Sequence, residues 1–196
     1  MVDFIIYLTD EEYKKCYDFA IESAKTQREY RSGGTQFRNL SMIQSDTQRG
    51  KVGEIVSKRF LEQSPFEIKE IKLDFDIYPR GEWDKQDFTL GGKSISIKSV
   101  KWFSNWLLIE TKDIQRGDIY DFYILVTISK DFRSGTIKGY ATKNDIVAIN
   151  DKTQRLKKNE YIPGTQTKLD APNYARHSKD LRNSIEDWED FVKIIK

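Results

Sequence analysis

The sequence has very few residues that form disulfides or bind soft metals, since it contains one cysteine, Cys16, and one histidine, His177. A single thiol excludes an internal disulfide framework. One cysteine and one histidine also cannot supply the four ligands of a structural zinc site. Any bound metal must therefore depend mainly on oxygen ligands.

Long apolar runs are absent as well, and no stretch approaches the ~20 residues that a membrane helix needs. The apolar start of the chain is short and charged residues follow at once, which disfavours a signal peptide. We expect a soluble, cytoplasmic protein with no membrane partner.

The remaining composition is that of a folded domain. The chain has 196 residues, of which 38% are hydrophobic and 13% aromatic, and its four prolines are scattered. We find no repeat and no linker that would divide it. We therefore predict a single domain over 1–196, with an N-terminal helical segment over 1–40, a central core over 42–149, and a basic loop with a C-terminal helix over 150–196.

The net charge of +2 is too small to identify a partner, because electrostatic steering depends on where the charges lie. Two stretches are locally rich in base and contain the polar residues typical of phosphate-contacting loops. From charge alone, a solvated surface is the simpler interpretation. The cations of these stretches that we consider for DNA binding are Arg31, Arg38, Arg49, Lys51, Arg155, Lys157, Lys158, Lys168 and Arg176.

Hydrophobic periodicity predicts a mixed sheet flanked by helices, in the α/β or α+β class. A capping box at Thr9 begins the first helix, and a second capping pattern at Thr142 begins a short helix that ends near Ile149. Trp102, Phe103 and Trp106 are expected in the core, and a wedge against DNA bases is the alternative interpretation. The other predicted elements are a helix over 45–63, an irregular strand over 66–79, strands over 119–128 and 137–141, and a final helix from Ser178.

The stretch 83–100 predicts a hairpin whose turn is Gly91-Gly92. Counting back from a two-residue loop pairs Leu90 with Lys93, Phe88 with Ile95 and Asp87 with Ser96. In this register Phe88, Leu90, Ile95 and Ile97 share a buried face, and Asp87, Ser96 and Lys98 share the other. If that face is merely solvated, the Asp87–Lys98 pair contributes only ~0–1 kcal/mol.

An aspartate, a strand turn and a residue-x-Lys tripeptide resemble the active site of the PD-(D/E)xK nuclease superfamily, which includes restriction endonucleases and Holliday-junction resolvases. Asp87 takes the place of the family aspartate, and Ser96-Ile97-Lys98 that of the (D/E)xK tripeptide. The similarity in element order extends from Gln48 to Ala141 and implies a restriction-endonuclease-like core, with the catalytic part over 42–149. The chain departs from the motif at Gln86, where the family has proline, and at Ser96, where it has an acid.

Serine cannot replace a carboxylate as a metal ligand on equal terms. The resemblance implies that an acid from elsewhere completes the site. Glu54 is the preferred candidate, because many members carry a glutamate on the helix before the core sheet. Glu110 lies near the position of the displaced acid in a subgroup with Ser-x-Lys. Asp84 is the third candidate.

The resemblance implies Mg²⁺ as cofactor, with Asp87, Glu54 and the Ile97 carbonyl as ligands and Lys98 acting on the attacking water. It implies a DNA endonuclease, for which we prefer a type II restriction enzyme that acts as a homodimer on double-stranded DNA, with the segment 150–196 assigned to recognition. A structure-selective repair nuclease or junction resolvase is the second hypothesis. A non-catalytic DNA-binding protein with a degraded nuclease site is the third.

Overall fold

The computed structural model describes residues 4–27, 29, 37–63, 65–69, 71–79 and 87–196. Two predicted site residues, Arg31 and Asp84, lie outside the described residues. Among the described residues, no helix combines the length and the apolar content that crossing a membrane requires.

The main sheet has five strands in the order β1-β6-β5-β3-β2. Strands β3 and β5 are parallel, and the other neighbours in this sheet are antiparallel. The sheet is therefore mixed, as predicted. Its strands are β1 (Phe4–Tyr7), β2 (Phe88–Leu90), β3 (Lys93–Lys101), β5 (Phe122–Ile128) and β6 (Ser134–Thr142).

Within the described residues, three further strands and five α-helices complete the fold. A second antiparallel sheet has the order β4-β8-β7. These strands are β4 (Trp106–Glu110), β7 (Thr153–Leu156) and β8 (Asn173–His177). The helices are α1 (Asp10–Ala24), α2 (Leu40–Glu62), α3 (Thr111–Arg116), α4 (Lys143–Val147) and α5 (Ile185–Ile195). The architecture belongs to the α+β class.

The central strand β5 is buried along its whole length, because both of its faces are covered. On one face, Ile124 and Val126 pack with apolar residues of α2 and α5. On the other face, Tyr123 and Leu125 pack against the second sheet. The main sheet is thus a wall between two apolar layers.

The predicted hairpin is confirmed in its turn and its register. Phe88 pairs with Ile95 and Leu90 pairs with Lys93. Gly91 and Gly92 have φ angles of 54° and 72°. Two consecutive positive φ values are the signature of a type I′ turn, which glycine adopts without the cost that a side chain would incur.

Several predicted element boundaries were wrong. Helix α2 begins at Leu40 rather than near Ser45, because Asn39 caps it by accepting a hydrogen bond from the Met42 amide. No strand forms over 65–69 or 71–79. The final α-helix begins at Ile185, after a Ser184 capping box, and a short 3₁₀ helix occupies Ser178–Asp180.

The segment predicted as a basic loop contains two strands of the second sheet, β7 and β8. The aromatic prediction was also wrong in part. Trp102 and Phe103 are 60% and 59% exposed, whereas Trp106 is half-buried beside Leu156 and Ile162. Residues 102–105 connect β3 to β4, and this connection carries the two exposed rings outside both apolar layers.

Candidate active site

Asp87 lies immediately before the edge strand β2, and its carboxylate is held by the neighbouring strand β3. The Ile97 amide donates a 2.6 Å hydrogen bond to Asp87 Oδ2, and the Ser96 hydroxyl donates a 3.3 Å bond to the same oxygen. Both contacts follow from the predicted register, in which Asp87 stands opposite Ser96. The other oxygen, Oδ1, accepts no hydrogen bond from any described residue.

The electrostatics of Asp87 are dominated by removal from water. Burial raises the pKa of Asp87 above its usual range, although Lys98, the Ile97 amide, Lys51 and Ser96 all act to lower it. A nearby cation stabilises the ionised form of such a buried carboxylate. Two lysines, Lys98 of β3 and Lys51 of α2, are close enough to act on Asp87 in this way.

Lys98 projects from the same face of β3 as Ser96. In the parallel pairing of β3 with β5, Ser96 is opposite Tyr123 and Lys98 is opposite Leu125. Opposed residues point to one side of a sheet, so Lys98 faces the second apolar layer. Its Nζ lies 6.0 Å from the centroid of the Tyr120 ring. The predicted sharing of one face by Asp87, Ser96 and Lys98 therefore agrees with these contacts.

Ser96 is only 2% exposed, and its hydroxyl is committed to Asp87. A carboxylate at this position would repel Asp87 unless a cation lay between them. The serine instead supports the aspartate as a hydrogen-bond donor. Ser96 therefore contributes orientation to the site rather than negative charge.

Glu54 is a buried acid of α2, and it is 7% exposed. The Lys51 Nζ lies 2.7 Å from Glu54 Oε2, and the Lys51 side chain is itself 12% exposed. Because Lys51 also acts on Asp87, one lysine connects the electrostatics of the two carboxylates. Helix α2 packs on the face of β3 that carries Ile97 and Ser99, so the helix that bears Glu54 lies on the opposite side of the sheet from Lys98.

A second acidic group lies on the Lys98 face. Glu110 ends β4 and pairs with Lys112, whose Nζ is 2.7 Å from Oε2. In the next turn, burial and the charge of Glu110 raise the pKa of Asp113, and Lys112 and Lys98 oppose this shift. Asp113 is thus within electrostatic reach of Lys98, as Asp87 is.

Asp113 was not among the predicted site residues. The sequence feature that could have indicated it is its spacing, since Asp113 follows Lys98 by 15 positions, and the structure places it in the first turn of α3. The motif directed attention to Glu110, which is three positions earlier. The charges of Glu110 and Lys98 both act on Asp113, so the two acids belong to the Lys98 side of the sheet.

The donor set suits a hard cation such as Mg²⁺, since every candidate ligand is an oxygen. Asp87 Oδ1 has a free acceptor capacity within the described part of the chain, and burial makes a nearby positive charge favourable. No three His, Cys, Asp or Glu side chains of the described residues come together as a ready metal-binding group. Binding of a metal by Glu54 would therefore require Glu54 to leave its ion pair with Lys51.

Of the predicted DNA-binding cations that the structure describes, some are paired or buried within the protein and the others are exposed to solvent. Arg38 and Arg49 both pair with Asp46 on α2, and Lys51 pairs with Glu54. Arg176 is 6% exposed, so the structure removes it from the candidate DNA contacts. The cations whose side chains are exposed to solvent are Arg155, Lys157, Lys158 and Lys168.

The guanidinium of Arg176 is used inside the protein. It donates to the Asp180 carbonyl from Nε and Nη2, at 3.0 and 2.8 Å, and to the Thr153 hydroxyl from Nη1 at 2.9 Å. A guanidinium with these internal acceptors has little capacity left for a phosphate. Arg176 is therefore a structural residue of the second sheet.

Comparison of the chain with protein-family models, with curated proteins and with solved structures found no match.

Proposed function

We propose that this protein is a Mg²⁺-dependent DNA endonuclease that hydrolyses phosphodiester bonds. The observation that carries the proposal is the hairpin register, which holds the Asp87 carboxylate against the Ile97 amide and directs Lys98 to the same side of the sheet. A carboxylate and an ammonium on adjacent strands, together with nearby acids, are the groups that metal-assisted phosphodiester hydrolysis needs.

We assign the metal to Asp87, Glu54 and the carbonyl of Ile97. The metal, when bound, supplies charge stabilisation at the phosphoryl oxygens and lowers the pKa of a bound water. Lys98 orients the attacking water and stabilises the negative charge that develops in the transition state. Ser96 keeps Asp87 in position. Lys51 balances the charge of Glu54 before the metal binds.

Within this activity, we prefer a type II restriction enzyme acting as a homodimer. One such site cuts one strand, so a double-strand break at a symmetric sequence calls for two copies related by a twofold axis. The exposed cations of the segment 150–168 provide phosphate contacts for double-stranded DNA. A junction resolvase or repair nuclease would use the same chemistry with different recognition.

One observation favours a second candidate, a non-catalytic DNA-binding protein. Ser96 is buried and donates to Asp87, and the best placed acid, Glu54, is already paired with Lys51. This arrangement is also what a nuclease fold that had lost its metal would retain. The two candidates differ in one measurable property, which is Mg²⁺-dependent cleavage.

The test incubates the pure protein with plasmid DNA, phage DNA and a four-way junction, with and without Mg²⁺. Discrete fragments would support restriction, and cutting of the junction alone would support a resolvase. Lys98→Ala should reduce cleavage at least ~100-fold, since Lys98 acts on the reacting groups. Lys93→Ala is the matched control, because Lys93 lies on the same strand and faces the other side.

No Mg²⁺-dependent cleavage of any of the three substrates, with DNA binding retained, would reject the nuclease and favour the binding protein. Equal cleavage by wild type and Lys98→Ala would reject the site.

A further inference from the structure

Two large aromatic side chains, Trp102 and Phe103, are presented to solvent in the connection that follows β3. Their rings pack edge to face, with centroids 5.2 Å apart, and each ring is about three-fifths exposed. We call this pair the aromatic tip. Covering these rings with a partner would remove apolar surface from water, which favours binding.

The aromatic tip is anchored to the protein at both ends. The Ser104 amide donates a 2.8 Å hydrogen bond to the Lys101 carbonyl, which closes the turn. The Ser178 amide donates a 2.8 Å bond to the Asn105 carbonyl, which ties the connection to the second sheet. A tight turn held in this way presents its side chains in a defined position, so less conformational entropy is lost on binding.

The chain segment that carries the tip has a positive charge. The stretch 98–109 contains Lys98 and Lys101 and has no acidic residue. The Lys101 Nζ lies 6.0 Å from the centroid of the Phe103 ring. Exposed rings interleaved with lysines fit a strand of nucleic acid, because bases stack on the rings and phosphates approach the cations.

The position of the tip relates it to the proposed active site. Trp102 follows Lys98 by four positions, so its backbone lies ~13 Å from that of Lys98 at ~3.3 Å per strand residue. This distance corresponds to roughly four base steps of ~3.4 Å. DNA with its reacting phosphate at Lys98 would bring nearby bases to the tip.

We infer that Trp102 and Phe103 stack on unpaired or unstacked bases of the DNA strand bound at the Asp87–Lys98 site. The inference rests on the proposed function and specifies its substrate. The favoured DNA has bases that are free to leave the helical stack close to the cut, such as a single strand, a bulge or a locally opened duplex. On the double-stranded DNA proposed above, the bases that the tip contacts are those of a duplex opened locally beside the cut.

The experiment measures binding without cleavage. Fluorescence anisotropy in EDTA gives the affinity of the full chain for a labelled single-stranded oligonucleotide and for a paired duplex. The double variant Trp102→Leu, Phe103→Leu keeps apolar side chains and removes the rings. We expect it to bind the single strand at least ~10-fold more weakly than wild type, with a smaller change for duplex.

Two further variants make the test specific to stacking. Trp102→Phe keeps a ring and should retain most of the affinity. Tyr17→Leu is the matched control, because Tyr17 is 48% exposed and its ring stacks on Tyr13, but it lies on α1, outside the β3 connection and the proposed DNA contacts. Its affinity for the single strand should stay within about twofold of wild type.

Equal single-strand affinities of wild type and the double leucine variant would overturn the inference. So would a tip-dependent response to phosphatidylglycerol vesicles in place of the oligonucleotide. Cleavage with Mg²⁺, measured on the same preparations, separates the two proposals. A ring-dependent affinity without cleavage would reject the nuclease alone, and cleavage without a ring-dependent affinity would reject the aromatic tip alone.

Discussion

Each lysine near Asp87 also interacts with a second acid. Asp87 is acted on by Lys98 from β3 and by Lys51 from α2, while Lys51 also pairs with Glu54 and Lys98 acts on Asp113. For the proposed metal site, Glu54 beside Lys51 and Asp113 beside Lys98 are the two acids to test as a further ligand. Removing each acid in turn identifies the ligand.

We predict that Glu54→Gln reduces Mg²⁺-dependent cleavage at least ~100-fold, because the amide keeps the volume of the side chain and removes its charge. Asp113→Asn and Glu110→Gln should cost less than about tenfold. Cleavage rates at several Mg²⁺ concentrations measure all three. A large loss in Asp113→Asn with an active Glu54→Gln would transfer the ligand to α3.

Asp145 provides a prediction on pH. Burial alone would raise its pKa, but hydrogen bonds from Arg182 and Thr142 outweigh burial and lower the pKa to about 2. A carboxyl whose folded pKa lies below its unfolded value of 3.8 stabilises the protein above that value. This contribution, about 2 kcal/mol, is lost as the pH falls from about 4 to about 2.

Urea unfolding of wild type and Asp145→Asn measures this contribution. The variant should be about 2 kcal/mol less stable at pH 7, and the two proteins should converge near pH 2. A difference that is constant between pH 7 and pH 2 would show that the Asp145 charge is not responsible.

At the scale of elements, the contact of α2 with β3 fixes the position of the helix that carries Glu54 relative to the strand that carries Ser96 and Lys98. Gly53 makes this contact, since a Cβ built on it would lie 1.8 Å from Ser99 Oγ and 3.0 Å from Ser99 Cβ. Gly50, one turn earlier on the same helix, has nothing within 4 Å of a Cβ. The two glycines therefore form a matched pair.

We predict opposite effects for alanine at these positions. Gly53→Ala should destabilise the protein by about 1–3 kcal/mol, because β3 and α2 must separate to admit the methyl group. Gly50→Ala should stabilise it by about 0.5–1 kcal/mol through helix propensity. Chemical denaturation of both variants is the measurement, and equal effects would contradict the close packing of α2 on β3.

Across the whole molecule, Arg176 connects parts of the chain that are distant in sequence. Besides Thr153 and Asp180, its Nη1 contacts the Asp145 carbonyl at 3.3 Å, so one guanidinium joins α4, β7 and the 3₁₀ helix. Its burial places the positive charge inside the protein. The second sheet and the helix beside it therefore depend on this residue.

Arg176→Met should lower the free energy of unfolding by about 3 kcal/mol, because the Asp180 carbonyl and the Thr153 hydroxyl lose the donors of a buried guanidinium. Thermal and urea denaturation measure the loss. Lys179→Met, an exposed cation nearby, is the control and should change stability by less than about 0.5 kcal/mol. If Arg176 contacted DNA instead, its substitution would reduce binding and leave stability unchanged.

The features that were predictable from the sequence are those encoded within a few residues. Gly91-Gly92 and the alternation on either side fixed the hairpin register, because a two-residue turn leaves one pairing that separates apolar from polar side chains. The capping boxes at Thr9 and Thr142 are likewise present as predicted. Local hydrogen bonds and strand alternation need no information from the rest of the chain.

The features that were missed depend on contacts between distant segments. The apolar content of Trp102 and Phe103 predicted burial, but the β3–β4 connection carries both rings outside the two layers. Arginine is usually a surface residue, yet the Arg176 guanidinium is buried and donates hydrogen bonds to two carbonyls and a hydroxyl from three separate segments. No local pattern indicates which segments will meet.

The same division applies to the candidate site. That Asp87, Ser96 and Lys98 share a face could be predicted from the sequence, since strand pairing has a period of two and the turn sets its register. The neighbours of these residues could not, because Lys51, Glu54 and Asp113 are carried by helices whose positions depend on the packing of the core. Burial, and with it the raised pKa of Asp87, is also a property of the assembled layers.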